Sequence, residues 1–85
     1  MSGQDKFYIH KLHECLRARQ QNNPQYSLRA FARDLGVDPS GLSKIMTSKR
    51  ALPQGLAREM ADTLKLTPAD KTLFIESTHR YRPNL

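Results

Sequence analysis

The chain has no tryptophan, a single cysteine and only eight acidic residues among its 85. With Cys15 alone, no internal disulfide can form, which suits a reducing, cytoplasmic setting. No apolar run approaches the roughly 20 residues that a membrane span needs, and no charged-then-apolar leader is visible. Neither membrane insertion nor a secretory route is expected. Four glycines, at positions 3, 36, 41 and 55, form no glycine-rich phosphate loop, and no internal repeat or low-complexity tract appears. The few carboxylates are scattered, and no nucleophile stands beside a base in a working spacing. The chain therefore does not read as an enzyme, and no cofactor is implied. His10, His13 and Cys15 lie close in sequence, but Cys15 points well around a helix from His13 and further donors are missing. No metal site is expected, and the two histidines read as solvent or boundary residues.

The shortage of acids leaves an excess of base. Fourteen Lys and Arg against eight Asp and Glu give a net charge of +6, with a sequence pI near 9.9. Such a balance favours an anionic partner, nucleic acid first and an acidic membrane surface second. The membrane reading fails because no predicted helix combines a strong apolar face with bulky aromatic anchors. At 85 residues and 38% hydrophobic content, one compact domain with an economical core is expected.

Apolar periodicity divides the chain into five helices. After a flexible lead-in (1–4), the first is predicted over 5–20, with Tyr8, Ile9, Leu12, Cys15 and Leu16 on one face. Asn22-Asn23-Pro24 breaks it, because the residue before proline avoids the helical region. Ser27 is a natural N-cap for the second, in which Leu28, Phe31, Ala32 and Leu35 recur at 0, 3, 4 and 7. Tyr26, just before the cap, is placed to staple against Phe31; a phosphate contact through its hydroxyl is the alternative. Gly36 follows where a helix often ends on a left-handed residue, and Val37 plugs the turn. Asp38 and Pro39 then restart a helix that buries Leu42, Ile45 and Met46. A fourth helix is predicted over 54–64, with Leu56, Ala57, Met60, Ala61 and Leu64 inward. Thr67, Pro68 and Asp70 form a capping-box variant opening a fifth over 68–79. There the run Leu73, Phe74, Ile75 is wider than one face needs, so either one of the three is exposed and available to a partner or this terminal helix is fully packed. Residues 80–85 read as a polar tail.

Two short helices joined by a glycine-containing turn make a helix-turn-helix. The outward face of its second helix carries Ser40, Gly41, Ser43, Lys44 and Thr47, with no acid among them. Between Ser27 and Arg58 six basic side chains stand against Asp34 and Asp38, a net +4 in about a third of the chain. Small polar groups flanked by cations suit a major groove, where phosphate contacts position and base edges specify.

The stretch LRAFARDLGVDPSGLSKIMTSKR resembles the helix-turn-helix of the phage-repressor and Cro superfamily in its Ala, Gly, Leu and Ile positions. More narrowly, NPQYSLRAFARDLGVDPSGLSKIMTSKRAL is similar to the N-terminal module of a group of uncharacterised bacterial proteins regarded as transcriptional regulators, where a longer domain follows. The similarity continues through LPQGLAREMADTLKLTPADKTLF. Two positions depart from the superfamily pattern. Ser48 replaces the usual glycine, implying a strained or differently shaped exit from the recognition helix. Pro39 stands where many phage repressors place a base-reading glutamine, which counts against direct readout at that position.

The sequence thus predicts an all-α, five-helix bundle over 5–79 that binds double-stranded DNA for transcriptional regulation. Ser40, Gly41, Lys44 and Thr47 are the expected base-contacting set, Gly41 by allowing close approach. Arg29, Ser43, Lys49 and Arg50 are the expected phosphate contacts. With few long readers, specificity is expected to lean on DNA shape or on a homodimer formed on DNA, its contact supplied by Leu73, Phe74 and Ile75 of the fifth helix or equally by a downstream domain. The rival reading is a protein-docking module that uses that same helix for a protein partner.

Overall fold

The computed structural model describes residues 6–80, and the side chain of Arg80 is left aside. Five helices follow in order: α1 (Phe7–Asn22), α2 (Leu28–Leu35), α3 (Pro39–Met46), α4 (Gln54–Thr63) and α5 (Pro68–Arg80), with no strand among the described residues. Every helix contributes to one core. Tyr8 and Leu12 from α1, Phe31 from α2, Leu42 from α3, Met60 from α4 and Phe74 from α5 are fully buried. Each such side chain contributes about 1.5–3 kcal/mol relative to exposure. The Tyr8 and Phe74 rings meet edge to face, 6.2 Å apart, and join α1 to α5.

The helix starts follow local chemistry in three cases. Ser27 Oγ accepts from the Ala30 N–H at 3.1 Å, and Asp38 Oδ2 accepts from the Gly41 N–H at 2.9 Å. Tyr26 and Phe31 pack edge to face at 6.4 Å, the expected staple across the start of α2. Thr67 Oγ1 accepts from the Asp70 N–H at 3.2 Å, but the box does not close: the Asp70 carboxylate lies 3.2 Å from Lys11 Nζ on α1. Tertiary charge pairing has taken the side chain that the capping motif would use.

α1 departs from expectation at both ends. It begins at Phe7 rather than residue 5 and runs to Asn22 rather than 20. Lys6, its N-cap, offers no side-chain acceptor. The Tyr8 N–H instead donates 3.1 Å to Ser77 Oγ, a buried hydroxyl on α5 that donates in turn to the Phe74 carbonyl at 2.8 Å. A side chain 69 residues away does the capping. His13 also departs from a purely solvent role: its exposed ring places Nε2 3.0 Å from the Met46 carbonyl, tying α1 to the end of α3. α4 ends at Thr63, with Leu64 as its C-cap, and α5 continues to Arg80. Of the wide apolar run, Phe74 is buried, Ile75 packs partly against the core and Leu73 is only half-buried. The expected lead-in (1–4), Asp5 and residues 81–85 of the tail lie outside the described residues.

α2, α3 and α4 end alike. Gly36 (φ 74°), Ser48 (φ 67°) and Lys65 (φ 56°) each take the left-handed conformation. In each case the next residue's N–H closes back five positions: Val37 to Ala32 at 2.9 Å, Lys49 to Lys44 at 2.8 Å, Leu66 to Ala61 at 3.2 Å. This is the Schellman ending, which satisfies carbonyls that a helix C-terminus leaves open. At Ser48 the glycine geometry is kept without the glycine, at a cost of about 1–2 kcal/mol.

Candidate nucleic-acid interface

α2 and α3 pack on each other, with α3 also held by α1 and α2 by α4. Leu42, Ile45 and Met46 are buried, which turns the opposite side of α3 outward. Successive residues advance 100° around a helix, so Ser40, Ser43, Lys44 and Thr47 share that outward side. Ser40, Lys44 and Thr47 are exposed and Ser43 half-buried. Thr47 is the C-cap of α3, and its hydroxyl donates to the Ser43 carbonyl at 2.8 Å. It therefore meets a ligand as an acceptor. Lys44 is the only long side chain on this outward side.

Gly41 lies about a quarter turn from the centre of that side. A Cβ built on it would point at Arg50, with Nη1 3.1 Å away, and would lie 3.9 Å from Asp38 Oδ2. The structure thus separates Gly41 from the four outward residues and pairs it with Arg50. Lys49 and Arg50, in the segment between α3 and α4, are both exposed.

Arg29 sits in the first turn of α2, and Arg33 one turn later on the same side. Together with Ser27, Ala30, Val37 and Pro39 they line a shallow cleft of about 500 Å³ between the starts of α2 and α3. Arg33 was not among the expected phosphate contacts. Four residues after Arg29, it repeats the same helix face.

Pairing engages three cations outside the helix-turn-helix and leaves Arg17 and Lys65 there without an ion pair to any described residue. Outside the helix-turn-helix, Lys11 pairs with Glu14 and Asp70, Arg19 with Asp34, and Lys71 with Asp62. Arg29, Arg33, Lys44, Lys49, Arg50 and Arg58 form no ion pair with any described residue. Both acids of this stretch are already engaged. Asp38 caps α3, while Asp34 accepts from the Tyr26 hydroxyl at 2.5 Å and from Arg19 at 3.1 Å. Arg19 also donates to the Tyr26 hydroxyl at 3.0 Å and stacks over Phe31 with its guanidinium carbon 5.5 Å from the ring centre. Burial and the hydrogen bond to Asp34 raise the Tyr26 pKa above its ordinary value, with Arg19 opposing. Tyr26 is thus built into a network inside the domain.

Other chemistry finds little footing. Burial pushes the Cys15 thiol up, away from the reactive thiolate. No group of three or more His, Cys, Asp and Glu among the described residues is arranged to hold a metal ion. No helix among them is long and apolar enough to cross a membrane.

A helix-turn-helix family model, of the Cro/C1 type, matches residues 17–71. No curated protein and no solved structure matches the chain. The matched span runs from the end of α1 into α5 and contains every unpaired cation named above.

Proposed function

The chain belongs to the Cro/C1-type helix-turn-helix family, whose DNA-binding members are typically transcription regulators, and from that premise we propose that it reads duplex DNA sequence with α3 in the major groove. The observation that carries this is the clustering of unpaired cations on and beside the helix-turn-helix. Arg29, Arg33, Lys44, Lys49 and Arg50 on α2, α3 and the following segment, with Arg58 on α4, have no acid partner among the described residues, while the ion-paired lysines and Arg19 lie elsewhere. Each phosphate they neutralise releases condensed counterion, which drives binding without reference to sequence.

Sequence preference then falls to the outward side of α3. In this motif the N-terminal residues of the second helix meet base edges while the first crosses the backbone. Lys44 donates to guanine O6 or N7, and Ser40 and Thr47 supply weaker contacts, Thr47 as an acceptor. Arg29, joined by Arg33, grips the phosphate backbone from α2; Ser43 and Lys49 do so from α3 and its exit. Because these contacts are few, two copies on adjacent half-sites about 34–36 Å apart complete the proposal.

Selection of bound sequences from a random duplex pool, followed by amide-shift mapping, tests it. A recovered consensus with shifts on α3 and Lys49–Arg50 is expected. A pool that yields no consensus, or shifts absent from α3, would overturn the reading. Sedimentation on one and two half-sites tests the pairing: non-cooperative binding at every spacing would make the chain a monomeric reader.

A further inference from the structure

Arg50 was expected to be a phosphate contact, and Gly41 a gap through which α3 approaches the bases. The geometry joins the two. Gly41 is the third residue of α3, with its N–H held by the Asp38 carboxylate at 2.9 Å. Where its side chain would begin, Arg50 Nη1 lies 3.1 Å away, closer than a Cβ ordinarily tolerates. The Asp38 carboxylate flanks the same point at 3.9 Å. Arg50 also borders a largely apolar cleft of about 520 Å³ between the α2–α3 turn, α3 and the start of α4, alongside Val37, Leu42, Ile45, Pro53 and Leu56. Within the lining of that cleft Arg50 is the only cation and Asp38 the only acid.

Resting on the DNA-binding reading above, we propose that Arg50 is a specificity-determining residue, seated on Gly41 so that its guanidinium reads a guanine at the inserted end of α3. Three considerations support this. The outward side of α3 offers no bidentate donor: Lys44 is a point charge, Ser40 is short, and the Thr47 proton is committed to the Ser43 carbonyl. A guanidinium is the group that matches guanine O6 and N7 through two parallel N–H donors. Finally, the seat is in the first turn of the helix, the part that meets base edges in this motif. Gly41 then serves the arginine rather than the DNA directly.

A double-mutant cycle on selected and random duplexes separates these roles. Affinities are measured for the wild-type chain, Arg50→Ala, Arg50→Lys, Gly41→Val and the Gly41→Val/Arg50→Ala pair. Melting curves confirm that each is folded, and Gly41→Ala replaces the valine variant if that one is not. Gly41 has an ordinary helical φ, so the larger side chain fills the seat without backbone strain. Both Arg50 variants are expected to lose about tenfold or more of the preference for selected over random duplex, lysine included. Gly41→Val should lose a large part of the same preference, and should cost nothing further once Arg50 is alanine. Retained preference in Arg50→Lys would make Arg50 a charge tether and overturn the inference. So would a Gly41→Val effect of equal size in both backgrounds, since Gly41 would then act on the DNA by itself. Failure of the wild-type chain to bind duplex would remove the DNA-binding reading as well, a result distinct from either of those.

Discussion

Replacing Ser48 with glycine would relieve the strain at the exit of the recognition helix. Ser48 holds φ at 67°, and Lys49 closes the turn by donating to the Lys44 carbonyl at 2.8 Å. A side chain with a Cβ is disfavoured there by about 1–2 kcal/mol. Glycine removes that term but brings a more flexible unfolded chain, which returns about 0.4–1 kcal/mol. The net expectation for Ser48→Gly, measured against Ser48→Ala so that loss of the Ser48 hydroxyl cancels, is a gain of about 0.5–1 kcal/mol. In a domain of this size 1 kcal/mol moves the midpoint by about 4–8 °C, so Tm should rise by roughly 2–8 °C. Ser48→Ala keeps the Cβ and should gain nothing. Thermal unfolding followed by far-UV circular dichroism reads both variants. A glycine variant that melts at or below the alanine variant would refute the claim that this exit is strained.

Gly36→Val applies the opposite change at φ 74°, where an added Cβ meets no atom within 4 Å. The penalty is therefore purely backbone, about 1–3 kcal/mol, and reads out as a lowered denaturation midpoint. Ser77→Ala removes the acceptor for the Tyr8 N–H at the start of α1 and should cost about 1–2 kcal/mol, with faster hydrogen exchange at that amide. Alkaline pH should also weaken the fold. Burial and Asp34 raise the Tyr26 pKa; burial pulls Lys11 down but its ion pairs with Asp70 and Glu14 prevail, so its pKa is raised too. Both groups bind their protons more tightly when folded. Their stabilisation is complete below the unfolded pKa values and is lost as pH climbs through the folded ones, above about pH 10. Tm measured across that range should fall, and Tyr26→Phe should fall less steeply.

Local chemistry made the helix-turn-helix readable. Ser27, Gly36, Asp38 and Pro39 act on neighbours within four residues, so their roles follow from spacing alone. Three features escaped because their partners are distant in sequence. Ser77 caps α1 across 69 residues, and His13 reaches the Met46 carbonyl across 33. Asp70 was placed in a capping box and turned out to face Lys11. Ser48 shows a subtler limit. Its departure from the family glycine marked a strained or reshaped exit, and only the backbone angle decides for strain. Within the candidate interface, the outward placement of Ser40, Lys44 and Thr47 was legible from helical period. The seat of Arg50 on Gly41 was not, because it depends on how the segment after α3 folds back over the first turn of that helix.

The central claim is that the unpaired cations of the helix-turn-helix meet a phosphate backbone. Affinity for the selected duplex, titrated over salt concentration, tests it most directly. If Arg29, Arg33 and Lys49 each neutralise one phosphate, log K should fall with log salt at a slope of about −3 per bound copy. A single Arg29→Ala substitution should flatten it by about one unit. Binding that ignores salt, or a slope that all three alanine substitutions leave unchanged, would contradict the account.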